Sequence, residues 1–221
     1  MPRPKGYWYP PGRLYDLAFR RMMRRLRRRV ARIIEGQGLY PWLDVCGGTG
    51  DQLRGHVPKV RVPDLDPGLG PGNLAIGLDL DFGMVRYAAA RAPGVPFVCA
   101  DAARLPFKPG STRAVSVSFG LHDKSPELRT AILAEARRVM GPDGRLIAVD
   151  FENPWNAGSR AGAFFVRMIE GIAGGEHYRN SRDFLRRGGL RALLRENGFV
   201  ECDRRDVEAG SLGVVVSRPK T

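Results

Sequence analysis

The run Leu43-Asp44-Val45-Cys46-Gly47-Gly48-Thr49-Gly50-Asp51 joins an apolar stretch to a glycine-rich turn. Glycine lets a backbone turn tightly and approach a ligand, and open α/β sheets bind nucleosides at the carboxyl ends of their strands. Acids then stand at the ends of the next two apolar runs, Asp79 and Asp101. A carboxylate at the second strand end can accept from both ribose hydroxyls, and a polar residue after the third can take an adenine amino group. The ligand implied is an adenosine. A glycine turn alone is weak evidence, and it is the series of acids that gives it weight. A dinucleotide fingerprint needs a third glycine where Leu53 stands, and a bulky residue there opposes close packing of helix on strand.

The elements that must position these residues alternate. Trp42 to Cys46, Leu74 to Asp79, Pro96 to Ala100, Ala114 to Ser118 and Arg145 to Val149 read as buried strands. Between them, Phe82 to Arg91 and Pro126 to Met140 read as helices, the second with Ser125 as N-cap and Pro126 in its first turn. Gly162 to Ala173 and Asp183 to Asn197 also read as helices, the latter stopped by Gly198. Val200 to Val207 and Leu212 to Ser217 read as an antiparallel hairpin. This rhythm predicts an α/β fold, a mostly parallel sheet with helices on both faces. Residues 56 to 72 carry four prolines and three glycines, which predicts an irregular loop. Residues 1 to 12 read as a flexible tail, and 13 to 221 as a single domain.

Composition narrows the class. The three cysteines, Cys46, Cys99 and Cys202, lack ligand spacing, so neither a disulfide framework nor a zinc site is expected. Cys99 and Cys202 read as buried strand residues. Asp64 and Asp66 have a DxD spacing without further ligands, and no metal is expected. No apolar run approaches the roughly 20 residues of a membrane span, and no secretory signal is evident, so a cytoplasmic protein is expected. Of the net charge of +13, most lies in one segment: Met1 to Gly36 holds eleven basic residues against Asp16 and Glu35. Within residues 13 to 36, Tyr15, Phe19, Met22, Leu26, Val30 and Ile33 fall on one helical face, and arginines fill the others.

The whole pattern resembles class I methyltransferases that use S-adenosylmethionine, and more narrowly the ubiquinone/menaquinone biosynthesis C-methyltransferases of methyltransferase type 11. The resemblance runs from Tyr15-Asp16-Leu17 through the glycine loop, Gly77-Leu78-Asp79, Asp101-Ala102-Ala103-Arg104-Leu105-Pro106-Phe107, Phe119-Gly120-Leu121-His122-Asp123 and Glu135 to Gly144, to Glu176-His177-Tyr178-Arg179-Asn180 and Asn197-Gly198-Phe199. It implies a Rossmann-like fold with a seven-stranded sheet and an antiparallel C-terminal hairpin. It also implies that S-adenosylmethionine is the cofactor, held by Asp44, Cys46, Gly47, Gly48, Thr49, Gly50, Asp79, Leu80, Asp101, Ala102 and Phe119. Asp44 would order the loop near the ammonium, Asp79 would bind the ribose, and Asp101 with Ala102 would hold the adenine. Two departures stand out: Cys46 occupies the position of the family's first glycine, and the helix after the loop is cut short near Arg54.

Methyl transfer from a sulfonium needs the acceptor held in line, water excluded and any proton removed. The acceptor is therefore expected beside Phe119 to Asp123, where His122 is the candidate base, with an ordinary pKa of about 6.5. The family commonly carries arginine at this position. His177 and Tyr178, between two expected helices, are candidates for the substrate side, with a packed linking loop as the alternative. A small, lipophilic or aromatic, quinol-like acceptor is the expected partner. The arginine helix has three readings: a solvated cover over the cofactor site, attachment to anionic lipid, or contact with RNA phosphates. Ser118-Phe119-Gly120-Leu121 lacks the Asn/Asp-Pro-Pro-aromatic cluster of base N-methylation, which favours the small molecule over an RNA methyltransferase. A non-catalytic scaffold that binds S-adenosylmethionine is the remaining alternative.

Overall fold

The computed structural model describes residues 12–54, 74–152, 175–207 and 212–220, with side chains described from Met23 onward and not for 204–207. The loop expected over 56 to 72, the helix expected over 162 to 173, Asp64, Asp66 and the N-terminal tail to residue 11 lie outside the described residues.

Seven strands form one sheet in the order β3-β2-β1-β4-β5-β7-β6. They are β1 (Trp42–Val45), β2 (Ala75–Asp79), β3 (Phe97–Cys99), β4 (Thr112–Ser118), β5 (Met140–Phe151), β6 (Phe199–Val207) and β7 (Leu212–Pro219). β1 to β5 pair in parallel, and β7 runs antiparallel between β5 and β6. Every residue of β1 is buried, as a central parallel strand covered on both faces requires. Strand order reverses at β1, which lies between β2 and β4, and this opens a crevice at the carboxyl ends of those strands.

The helices are α1 (Gly12–Gly36), α2 (Phe82–Arg91), α3 (Pro126–Val139), α4 (Gly175–Arg186) and α5 (Gly189–Glu196). Ser125 caps α3, its hydroxyl accepting from the Leu128 amide, and Pro126 occupies the first turn; such a cap is worth about 1 kcal/mol. Gly198 ends α5 at φ 76°, in the left-handed region where glycine has no side-chain penalty. In α1 the buried face is Met23, Leu26, Val30 and Ile34.

Four expectations are corrected. The inner face of α1 turns slightly from the one expected, with Ile34 buried and Ile33 only half-buried; spacings of three, four and four from Met23 follow the helical period more closely. A single helix over 183 to 197 is instead split into α4 and α5, because Gly188 and Gly189 both take positive φ, 102° and 72°. The helix before that break begins at Gly175, so His177 and Tyr178 sit in its first turn and not in a linking loop. Cys99 and Cys202 are exposed, not buried, since β3 and β6 are the sheet's two edges. At Cys202 the pairing of β6 with β7 also shifts register.

Candidate functional site

A cavity of about 640 Å³ opens at the strand reversal. Its floor is the turn after β1. Gly47 donates its amide to the Leu78 carbonyl at 2.8 Å, and Gly50 to Gly47 at 3.0 Å, so the chain folds back over the strand ends. Cys46 takes φ 58°, Gly48 φ 53° and Gly50 φ 71°. At Gly48 a side chain would meet nothing within 4 Å, so the glycine leaves open space on the cavity side. Gly50 serves differently: a Cβ there would lie 2.7 Å from Ala88 Cβ and 2.8 Å from Phe97 Cζ. That glycine is needed for packing against α2 and β3.

The structure brings most of the expected cofactor residues to this one wall. Asp44, Cys46, Gly47, Gly48 and Thr49 line the cavity from β1 and its turn; Asp79 and Leu80 line it from β2; Asp101 and Ala102 follow β3, and Phe119 follows β4. Gly50 does not line it. Asp79 accepts from the Gly48 amide at 2.8 Å through Oδ2 and from the Asp81 amide at 3.0 Å through Oδ1. Burial raises its pKa, and those two amides offset part of the rise. Asp44 is buried, accepts from the Ser116 hydroxyl, and is pushed up to about 7 by desolvation. Ser116 in turn accepts from Trp42 Nε1 at 2.7 Å. Burial likewise pushes the Cys46 thiol up to about 12, which leaves it neutral and unsuited to nucleophilic work.

Several lining residues carried no clear signal in the sequence. Asp81 caps α2, accepting from the Gly83 and Met84 amides at 2.6 and 3.1 Å. Its place just before a helix was the available clue. Gln52 is buried, and its Nε2 donates to the Arg27 carbonyl at 3.0 Å, which ties α1 to the glycine turn. Met23, Leu26 and Arg27 cover the cavity, while Arg24, Arg25, Arg28 and Arg32 face outward. Arg27 Nη1 also meets Asp51 Oδ2 at 2.6 Å. The helix is thus a cover over the site with an exposed basic outer face.

The β4–β5 end is organised by buried charge. His122 is only 5% exposed and is not among the lining residues. Its Nδ1 lies 2.8 Å from Asp150 Oδ1, and its amide and that of Leu121 donate to Asp150 Oδ2. With Asp150 as the acceptor, Nδ1 carries the proton and Nε2 is left as the basic nitrogen. The ring packs against Phe151 at 4.6 Å between centroids and stands 6.4 Å from Phe119, which does line the cavity. Arg129 on α3, fully buried, donates to the carbonyls of Leu121, His122 and Asn180 and to Asp183. It thereby fastens the turn after β4 to α4.

His177 lies 5.6 Å from the His122 ring, centroid to centroid, and its Nδ1 is 3.7 Å from Asp123 Oδ2. Asp123 Oδ1 holds Lys124 Nζ at 2.6 Å, and Lys124 lines the cavity. Burial opposes ionisation of Asp123, but Lys124, His122 and His177 outweigh it and hold the carboxyl below its usual range. Tyr178 does not line the cavity; the Arg182 guanidinium stands over its ring at 5.5 Å. No group of metal-binding side chains occurs among the described residues.

These residues fit S-adenosylmethionine. Gln52 Oε1 and Ser118 Oγ are buried on the cavity wall and have no hydrogen-bond partner among the described residues, as atoms awaiting a ligand's polar groups would be. Leu80 is 51% and Phe82 65% exposed at the nucleoside end, apolar surface that a purine face would cover.

Solved structures share the fold: a Pyrococcus horikoshii protein matches with a TM-score of 0.56 at 20% identity, over 81% of each chain. The mitomycin 7-O-methyltransferase matches with a TM-score of 0.57 at 21% identity, over 82% of this chain and 49% of that one. In sequence, the chain is 33% identical over 175 residues to a demethylmenaquinone methyltransferase of Beutenbergia cavernae, covering 71% of this chain and 72% of the relative. It is 36% identical over 137 residues to the enzyme of that name from Mycobacterium tuberculosis, covering 62% of this chain and 50% of the relative, so for several relatives the match spans about half their length. The model of the ubiE/COQ5 methyltransferase family matches residues 15–217, and with the sheet order in agreement, the chain belongs to that family and is a methyltransferase dependent on S-adenosylmethionine.

Proposed function

We propose that the chain methylates a carbon of a small, lipophilic, quinol-like ring. The observation that carries this is the division of the cavity. Asp79, Asp81 and Asp101 line it from the ends of β2 and β3, while Phe119, Leu128, Ile132 and Val149 line it from β4, α3 and β5. The names of the relatives, demethylmenaquinone methyltransferases, agree with an acceptor of that kind. S-adenosylmethionine supplies an electrophilic methyl group there. The chain's own part is to hold the ring in line, exclude water through the cover of α1, and take up the proton that aromatic substitution releases.

His122 is the group assigned to that proton. Asp150 supports the assignment by fixing the tautomer, and the burial of the ring implies that the proton reaches it through a neighbour such as His177, whose ring stands 5.6 Å away between centroids. The exposed arginines of α1 form the surface assigned to anionic lipid, where such an acceptor would reside.

The test is incubation with methyl-labelled S-adenosylmethionine and reduced cell lysate, followed by separation of lipid, RNA and small polar metabolites. Label is expected in the lipid fraction, in a product that resists mild acid and base as a C-methyl group does. Label in RNA or in polar metabolites would overturn the reading. Added vesicles of anionic phospholipid should raise the rate at low salt; no change would confine α1 to covering the cavity.

A further inference from the structure

We propose that Lys124 is an oxyanion anchor: its ammonium, fixed by Asp123, receives an acidic hydroxyl oxygen of the acceptor as the anion and so makes the ring carbon nucleophilic. The inference rests on the acceptor reading above and adds the ionisation state in which that acceptor reacts.

Three observations carry it. Lys124 lines the cavity that Phe119, Leu128 and Val149 also line, and its charge acts on Cys46 and Asp79 as well as on Asp123. Its side chain is 16% exposed, and Nζ is clamped at 2.6 Å by an Asp123 carboxylate that is itself 3% exposed. A lysine held like this is a fixed charge and not a solvated surface residue. The clamp is braced in turn, since Asn180 Nδ2 donates to the Asp123 carbonyl at 3.0 Å and Arg129 donates to the Asn180 carbonyl. One chain of contacts, from Arg129 through Asn180 to Asp123, therefore ends on the placement of one ammonium.

The chemistry asks for such a group. A neutral phenol carbon is a poor nucleophile toward a methyl sulfonium. When the O–H bond breaks and the proton passes to solvent, the oxygen pair feeds the ring, the ring carbon forms the new C–C bond, and the C–S electrons return to sulfur. The ring C–H proton then passes to His122, the base assigned above, which restores aromaticity, so charge and atoms balance with no further reagent. An ammonium within about 4–6 Å of a hydroxyl lowers its pKa by one to three units.

The charge of Lys124 acts on Asp123 from its own turn, on Asp79 from β2 and on Cys46 from the β1 turn, while His122 and His177 act on Asp123. Cys46 stays neutral, since burial holds its thiol at about 12. Asp123 and Asp79 remain constant across the variants compared below.

1-Naphthol serves as the probe, because its ultraviolet absorption moves to longer wavelength when the hydroxyl ionises. Bound to the parent protein with S-adenosylhomocysteine, its ionisation midpoint should lie about one pH unit or more below that of free 1-naphthol. Lys124→Met should return the midpoint to the free value or above, and Lys124→Arg should keep it lowered. S-adenosylhomocysteine affinity, measured by calorimetry, should change less than twofold in both variants.

A parent midpoint equal to that of free naphthol overturns the inference whatever the variants do, and so does an unshifted midpoint in a folded Lys124→Met. Tenfold weaker S-adenosylhomocysteine binding in that variant would assign Lys124 to the methionine carboxylate and overturn it too. Failure of 1-naphthol to bind the parent at all strikes the quinol reading itself, and the inference falls with it.

Discussion

At the β1–β3 end of the cavity, Asp81 and Asp101 are fixed by backbone close at hand while Asp79 and Asp44 are held by Gly48 and Ser116, 31 and 72 residues away; at the β4–β5 end His122 and Arg129 are fixed by partners far along the chain. Asp81 binds amides two and three residues on, and Asp101 the amide of Ala103. At the other end, His122 depends on Asp150, 28 residues away, and Arg129 reaches Asn180 and Asp183 across 51 and 54 residues. The first end is built partly from local turns at strand ends, at Asp81 and Asp101, and partly from contacts between β1, β2 and β4. The second requires β5, α3 and α4 to be packed before any of its charges is paired, so its chemistry is open to change from one member of the fold to another.

If the ends are separable, substitutions should sort by the quantity they affect. The largest effect is expected from His122→Ala, which should lower turnover on the acceptor by about 100-fold, the lower range for a general base, while the dissociation constant for S-adenosylmethionine changes less than twofold. Parent-like turnover would remove His122 from the reaction. Equal losses in turnover and in cofactor affinity would instead break the comparison, showing that the buried pair with Asp150 supports the whole crevice. Asp79→Ala should do the converse, weakening cofactor binding by at least tenfold. It removes a charge-assisted acceptor for ribose and also the Oδ2 contact that positions the Gly48 amide. Titration calorimetry reads the change directly, and an unaltered affinity would refute the ribose assignment.

The same contrast governs what could be read in advance. Asp79 and Asp101 were legible because a strand end in an alternating chain announces itself by the residue that follows an apolar run. Phe119 and His122 were legible by the same rule at β4. Asp150 was not, because the strand reading stopped at Val149 and nothing local says that the next residue will face His122 across two strands. Arg129 carried no signal within the helix read over Pro126 to Met140; only the packing of α4 makes it a buried tie. His177 and Tyr178 were placed near the acceptor side, yet their helix went unrecognised because the pair Gly188-Gly189 ends it in the middle of what read as one periodic run. Of those two, His177 joins the Asp123 cluster and Tyr178 stacks with Arg182, a distinction that helical phase decides and spacing alone does not.

The pH response sharpens the comparison at the β1 turn. Asp44 has its carboxyl raised to about 7 by desolvation, so near neutrality it is half protonated in the free protein. A ligand ammonium beside it favours the carboxylate and lowers that pKa. Binding then releases a proton, and affinity for S-adenosylmethionine should rise with pH until about 7 and level off above. Below 7 it should fall by up to about tenfold per unit. Asp44→Asn should flatten this profile. A profile that keeps its slope in the variant would locate the titrating group elsewhere.

The smallest effect expected concerns Gln52, whose role neither motif nor period revealed. Its Nε2 is committed to the Arg27 carbonyl, which turns Oε1 toward the cavity with no donor among the described residues. A buried acceptor left unmatched costs about 1–3 kcal/mol, and a ligand amine would remove that cost. Gln52→Leu should therefore weaken S-adenosylhomocysteine three- to tenfold, roughly 0.7–1.4 kcal/mol, while affinity for 5′-methylthioadenosine, which lacks the amino-acid end, stays unchanged. If both ligands weaken together, Gln52 acts by holding α1 over the whole crevice through Arg27, and the methionine end is not its particular charge. If neither weakens, its orphaned oxygen contributes nothing to ligand binding, and the polar anchoring of the methionine end falls to Asp44.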